Sequence, residues 1–350
     1  MPSLSEEIDM AEPPRLTVTA MGHKRSGKTT FLLGMYAELS AGKEGYFLSA
    51  TNTDIDLRLA SRWEKLLDDG VLPPPNPNSE INYTFQFLDG LLPLLDVDWL
   101  DYRGGAINEE REGGEADVGG VLDRLVASDS IYLVIDGRYL AEPITARNRM
   151  GVIRAAGLRR MTNLLQDTIR RRGRDLAPPS LVILITKADL IPRERREPMD
   201  GLINDLQQII SVAFTGGFTT LICPVMLGDF GADPGPTVEA EDIEPHNLHL
   251  PLVYSLAMYM DQLSIAAGVA AGLQRERAGQ LASMRKGLTR GVGSVFRRGQ
   301  ASKASREADQ AADELETFMA VQEVAAHRAK QLFGELSGLS LFRDGNEVQL

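Results

Sequence analysis

Gly22-His23-Lys24-Arg25-Ser26-Gly27-Lys28-Thr29 is the stretch on which the reading of this chain turns. It fits G-x-x-x-x-G-K-[ST], a pattern that cradles phosphates when a strand runs into it and a helix leaves it. Both flanks are present. Residues 16–21 are short and β-rich, and residues 29–40 carry Phe31, Leu32, Met35, Tyr36 and Leu39 at helical spacing, with Gly42 placed to end the helix. The spacing has a chemical reason. Gly22 and Gly27 let the main chain wrap an anion without Cβ clashes. The N–H groups of residues 22–30, with a helix N-terminus behind them, form an anion nest. Lys28 would reach the outer phosphates and the Thr29 hydroxyl would ligate Mg2+. The competing reading is a tight glycine turn with no ligand, and two further motifs downstream speak against it.

The first of these is Asp101-Tyr102-Arg103-Gly104, a D-x-x-G at the end of a strand. The Asp101 carboxylate can hold Mg2+ through water, and the Gly104 N–H can meet a terminal phosphate. Asp98 and Asp136 are rivals for the metal role, with Asp136 the more structural of the two because it ends the strand 131–135. The second is Thr186-Lys187-Ala188-Asp189, directly after the apolar strand 181–185. A carboxylate there accepts two hydrogen bonds from the N1–H and 2-amino group of guanine, a donor pair that adenine lacks. The Lys187 stem would pack over the base plane.

The rest of the chain fixes the fold class. Residues 83–88 and 97–100 read as two strands too close for a crossover, hence antiparallel. From there the alternation is regular: helix 118–126, strand 131–135, an arginine-rich helix over 144–172, strand 181–185, helix 199–213, strand 219–225 and helix 250–264. Buried strands alternating with helices predict an α/β fold of three layers, a mostly parallel sheet with one antiparallel strand and helices on both faces. Residues 1–14 read as a disordered lead-in and residues 15–267 as the phosphate-binding domain. That domain carries insertions at about 44–80 (with a helix at 56–67 and the prolines 73, 74, 75 and 77) and at 228–249. Strand signals stop after 268. Residues 268–340 read as a C-terminal helical element of two helices around a break at 287–305, and 341–350 as a tail.

Composition narrows the class. The chain has 350 residues and a net charge of −12, and its one cysteine, Cys223, excludes an internal disulfide. The acidic first twenty residues hold no signal-peptide pattern, so a cytoplasmic setting is expected. No run of eighteen uninterrupted apolar residues exists; 250–273 reads as a buried helix, not a membrane span. Two basic stripes break the acidic body: residues 144–174 hold nine arginines against Asp167, and residues 273–306 hold nine Lys/Arg against Glu276. No specific nucleic acid is expected from such a balance. A protein partner, a homodimer, or an acidic partner or membrane surface meeting a basic amphipathic stretch at 281–298 fits it. An ordinary helix packed on the domain is the plainer alternative for that stretch.

Together, the three motifs resemble the G domains of the translation-factor-related (TRAFAC, Ras-like) class of P-loop GTPases over residues 15–265. Trp99-Leu100-Asp101-Tyr102-Arg103-Gly104-Gly105 with the phosphate loop also resembles bacterial double-GTPases of conflict or defence gene clusters, though with a single G domain here. The resemblance implies GTP and GDP as ligands with Mg2+, held by Gly22, His23, Lys24, Arg25, Ser26, Gly27, Lys28, Thr29 and Thr30. It implies Thr29 and Asp101 at the metal, Gly104 at the γ-phosphate, and Thr186, Lys187 and Asp189 at the base. It places Pro224-Val225-Met226, with Val225 and Met226 as contacts, where the family usually has a small Ser-Ala. The family's metal-binding switch threonine falls near Ser79, which lies 22 residues before Asp101; Thr51, Thr53 and Thr84 remain candidates. Gly105 stands where the family often has a water-orienting glutamine, so slow hydrolysis is expected. Arg25 lies where guanylate-binding proteins carry an arginine that folds onto the transition state, which would make Lys28, Arg25 and Gly104 the catalytic set. A solvent- or partner-facing Arg25 is the alternative, and Glu109, Glu110 and Glu112 could also position water. The implied function is a GTP-controlled switch. The alternatives are an ATPase of the same loop superfamily and a catalytically idle nucleotide-binding scaffold.

Overall fold

The computed structural model describes residues 14–73, 81–90, 92–101, 115–173, 177–231, 237–289 and 295–348. The strands are β1 (Arg15–Gly22), β2 (Tyr46–Ala50), β3 (Ile81–Asp89), β4 (Leu92–Asp101), β5 (Ser130–Asp136), β6 (Ser180–Thr186), β7 (Thr219–Pro224), β8 (Ser340–Arg343) and β9 (Asn346–Val348). The helices are α1 (Lys28–Ala41), α2 (Thr53–Asp69), α3 (Glu115–Ala127), α4 (Arg149–Ala155), α5 (Leu158–Arg172), α6 (Arg193–Arg196), α7 (Asp200–Ile209), α8 (Val212–Thr215), α9 (Leu250–Thr289) and α10 (Val295–Glu335).

The strands form one sheet in the order β2-β3-β4-β1-β5-β6-β7-β8-β9. β4, β1, β5, β6 and β7 run parallel, which makes this a mixed α/β protein with a mostly parallel sheet. Every residue of β5 and of β6 is buried, as strands covered on both faces must be. Alternation divides the two faces. Ile131, Leu133 and Ile135 of β5 join Ile183 and Ile185 of β6 in a core with Leu125 of α3, Met161 and Leu165 of α5, and Leu206 of α7. Tyr132 faces the other way, where its ring meets Phe31 of α1 and Trp99 of β4 and its hydroxyl bonds Ser255 of α9 at 2.9 Å.

Several expectations are corrected. Residues 46–50, placed within the insertion at about 44–80 with no strand assigned, form β2, an edge strand held by antiparallel pairing with β3. The expected helix over 144–172 is two helices, because Gly157 takes a left-handed conformation (φ 67°) between α4 and α5. Helix 199–213 likewise breaks at Ile210 into α7 and α8. Residues 341–348 are no tail. β8 and β9 are a hairpin turning through Asp344 (φ 50°) and Gly345 (φ 80°), the Asp-Gly signal for such turns. β8 pairs antiparallel with β7, so a second strand besides β3 runs against the parallel core. Phe342 secures it by packing edge-on against Phe214, with ring centroids 5.1 Å apart.

The chain divides into two compact units, residues 1–255 with 336–350, and residues 256–335. The second unit is an antiparallel helix pair with a small-residue seam. Ala267 and Ala271 of α9 and Ala311, Ala325 and Ala329 of α10 are buried. A Cβ at Gly268 would lie 2.9 Å from Gln322 Nε2, and Gln274 Nε2 donates to Glu314 Oε2 at 2.7 Å. By length and composition, Leu250–Leu281 is apolar enough to cross a membrane. Its first turn is instead part of the core of the first unit, with Leu252, Val253 and Tyr254 fully buried.

Candidate functional site

β1 delivers the main chain into the loop that α1 continues. Arg25 (φ 65°) and Gly27 (φ 84°) both adopt left-handed backbone there, and Gly27 caps α1. The two loop glycines are also required by close approach. A Cβ at Gly22 would sit 2.8 Å from the Val134 carbonyl oxygen, and one at Gly27 3.2 Å from the Thr186 side chain. Lys28 Nζ curls back to donate to Gly22 O (3.0 Å) and His23 O (3.2 Å). Burial pushes its pKa down, and the nearby Asp101 carboxylate pulls the other way.

The D-x-x-G aspartate meets this loop. Thr29 Oγ1 donates to Asp101 Oδ2 at 3.1 Å. Burial raises the Asp101 pKa, while Lys28 and the Thr29 hydrogen bond lower it. The rival Asp98 lies on the opposite face of β4. It accepts from Thr84 Oγ1 (3.1 Å) and pairs with Arg15 (3.3 Å). That engages the Thr84 hydroxyl, and the Thr51 hydroxyl donates to Thr84 O at 3.0 Å; Thr53 begins α2. Ser79, Gly104, Gly105, Glu109, Glu110 and Glu112 lie outside the described residues. A hydroxyl and a carboxylate supply the hard oxygens that suit Mg2+, which takes few protein ligands and completes its shell with water and phosphate. Among the described residues no cluster of three or more His, Cys, Asp or Glu side chains offers a metal site.

The end of β6 closes against the same loop. Thr186 Oγ1 donates to Ser26 O at 2.6 Å. Lys187, left-handed at φ 52°, donates to Asp136 Oδ2 (2.6 Å) and Arg25 O (3.2 Å). Its ammonium therefore ties the strand end to the phosphate loop. Asp136 is a structural anchor: besides Lys187 it accepts from the Arg138 main-chain N–H and from Arg138 Nε, both at 3.0 Å. Sequence reasoning did not single out Gly137. A Cβ there would fall 2.4 Å from the Lys187 carbonyl oxygen, so only glycine lets the two strand ends approach so closely.

Asp189 follows in a single turn, Ala188–Leu190. It is half-buried, and burial with the charge of Asp229 raises its pKa to about 6, against Arg196 and Lys187. Its neighbours line an open cleft. Gly27 and Thr30 of the phosphate loop line this cleft together with Lys187, Asp189, Val225 and Met226. Val225 is fixed by its N–H to Ile185 O (2.8 Å) and by accepting from the Ala188 N–H (3.2 Å). Leu72 and Phe230, which no sequence motif marks, add apolar walls. His23 Nδ1 lies 3.0 Å from Lys24 O, and the Lys24 and Arg25 side chains are exposed. The Ser26 hydroxyl is buried without a partner among the described residues.

The raised pKa makes a testable statement about recognition. A base that donates two hydrogen bonds needs the Asp189 carboxylate ionised, so binding must lower its pKa. Carbon-13 carboxyl titration, with the resonance assigned by Asp189→Asn, is expected to place Asp189 near 6 in the free protein and lower with bound GDP and Mg2+. Guanine affinity then declines as pH falls through 6, the range in which the free carboxyl takes up its proton. A carboxyl unmoved by GDP would contradict base contact.

No family model matches the chain, and no curated protein matches it. Among solved structures it is similar to the S. cerevisiae Ski7 GTPase-like domain bound to GTP, at 17% identity and a TM-score of 0.36, over 65% of this chain and 46% of that one. It is also similar to that domain bound to GDP and inorganic phosphate, at 16% identity and a TM-score of 0.36, over 61% of this chain and 43% of that one. The chain thus spans less than half the length of either chain.

Proposed function

We propose that this chain is a Mg2+-dependent GTP-binding protein of Ras-like type that hydrolyses GTP slowly and acts as a nucleotide-controlled switch for a protein partner. One observation carries the reading: a single cleft is lined both by Gly27 and Thr30 of the phosphate loop and by Asp189 and Val225, so one nucleotide could engage both groups. The antiparallel β3 ahead of Asp101 supports the Ras-like assignment. In this reading the sheet-containing unit, residues 1–255 with 336–350, is the GTPase domain, the helical unit 256–335 is an accessory element, and the protein works in the cytoplasm, in a bacterial conflict or defence setting. An ATPase would lack a use for Asp189, and an idle scaffold would release no phosphate.

Mechanistically, the chain's own groups bind and orient. Lys28 exchanges two neutral carbonyl acceptors for phosphate oxygens, a gain because a buried cation is better paired with an anion. Main-chain N–H groups of residues 22–30 receive the remaining phosphate charge. Thr29 and Asp101 would hold Mg2+, which neutralises charge on the phosphates when bound. Lys187 and Thr186 keep the loop in register with the base end. Arg25, exposed beside the loop, folds onto the γ-phosphate as charge develops.

Phosphate release by the purified chain tests this. Turnover is expected to be slow, to require Mg2+ and to stop with EDTA, and absence of any release would leave only a binding scaffold. In the single-turnover form of the assay Arg25→Ala is expected to slow hydrolysis by roughly 10³-fold or more, the range of such arginines, with GTP affinity little changed. An unchanged rate removes Arg25 from the mechanism. A switch further requires that a GTP analogue and GDP give different limited-proteolysis patterns; identical patterns would remove that role.

A further inference from the structure

We propose that the two insertions of the sheet-containing unit form one clamp over the purine base, with the Phe230 ring stacked on the base plane and Leu72 closing against it. This rests on the nucleotide reading of the cleft and adds what covers the faces of the base. The two segments, about 44–80 and 228–249, are far apart in sequence yet joined main chain to main chain. Val71 and Thr237 form an antiparallel bridge, and the Val238 N–H donates to Gly70 O at 2.8 Å. Gly70 makes the join possible. It ends α2 in a left-handed conformation (φ 65°), and a Cβ there would overlap the Val238 carbonyl oxygen. Leu72 follows the joint directly and lines the cleft.

Phe230 enters from the other segment. Its ring lies against Gly228, where a Cβ would stand 2.8 Å from the ring atoms Cε1 and Cζ and would overlap the Asp242 carbonyl oxygen. Met226 and His246 pair main chain to main chain at 2.9 and 3.3 Å, which folds the same segment back on itself. The half-buried ring is thus held in the cleft wall before any ligand arrives. It is one residue from Asp229, whose charge acts on Asp189. Asp189 reads the edge of a guanine and leaves the two faces of the base to be covered. Phe31, the other aromatic residue in the lining, is committed to the core, packed on Trp99 and Tyr132. Stacking on an aromatic ring tolerates any base, so Phe230 adds affinity while Asp189 keeps the choice of base.

Calorimetric titration of the full chain with GDP and with a non-hydrolysable GTP analogue, each in Mg2+, tests this, with thermal melts to check the fold. Phe230→Ala is expected to bind both ligands roughly tenfold or more weakly, and by the same factor, because the base is common to the two. Leu72→Ala is expected to weaken both several-fold. Should Phe230→Ala unfold, Phe230→Leu keeps the apolar bulk without the ring plane, and a several-fold loss is expected of it. GDP affinity within twofold of the unaltered chain in a folded Phe230 variant overturns the stacking. A loss confined to the GTP analogue also overturns it, because it places the ring at the terminal phosphate. Full affinity in Leu72→Ala contradicts the clamp. Binding of neither nucleotide by the unaltered chain is a separate failure, which removes the nucleotide reading and the clamp with it.

Discussion

Lys28→Ala is expected to abolish measurable nucleotide binding while the chain stays folded. The ammonium holds the Gly22 and His23 carbonyls at 3.0 and 3.2 Å, and burial already disfavours its charge. In the free protein it is therefore a cation in waiting, partly offset by Asp101. Its removal costs the site charge-assisted hydrogen bonds to phosphate, each about 1.5–3 kcal/mol. Two such bonds correspond to roughly 10²–10⁴ in affinity. The fold rests on the two apolar faces of the sheet, which Lys28 does not join. Calorimetric titration with GTP and a thermal melt measure both halves. Binding within threefold of the unaltered chain would remove Lys28 from the phosphate site.

The second large effect concerns the base. Asp189→Asn is expected to turn a guanine site into a xanthine site. The aspartate accepts twice, from N1–H and the 2-amino group. Asparagine offers one acceptor and one donor, which match N1–H and the 2-carbonyl of xanthine. Guanine then loses one hydrogen bond and faces an N–H group with its own amino group. Loss of a hydrogen bond to a charged group, about 1.5–3 kcal/mol, with that mismatch added, predicts roughly 10²-fold or more weaker GTP binding. Xanthosine triphosphate should rise above GTP in competition. The substitution is well tolerated in the fold, because burial already works against the Asp189 charge. Retention of GTP preference over xanthosine triphosphate would place the base away from Asp189.

Much of this was legible in the sequence because it is local. The strand–glycine loop–helix unit announces itself through spacing, and the parallel core through runs such as Leu181-Val182-Ile183-Leu184-Ile185. The meeting of Thr29 with Asp101 follows from the order of motifs, since β1 and β4 are neighbours in the sheet. What escaped depends on partners distant in sequence. Tyr46–Ala50 is a strand only because β3 lies beside it, and β8 only because β7 offers an edge. Gly157 breaks a helix that periodicity alone would continue. Leu72 and Phe230 line the cleft from segments without a motif, and the short distance from Gly137 to the Lys187 carbonyl exists only once β5 and β6 are paired. The Asp344-Gly345 pair is a local turn signal, but the strands it joins are too short to show a period of their own. The Lys187 stem is expected over the base plane; what its ammonium holds, Asp136 and the Arg25 carbonyl, no motif announces.

The central claim is that main-chain amides around Lys28 hold a triphosphate whose purine is read by Asp189. Titration calorimetry of the purified chain with GTP, GDP and ATP, each in Mg2+, tests it most directly. The account predicts saturable binding of GTP and GDP and much weaker binding of ATP. No heat with either guanine nucleotide, or tighter binding of ATP than of GTP, would contradict it.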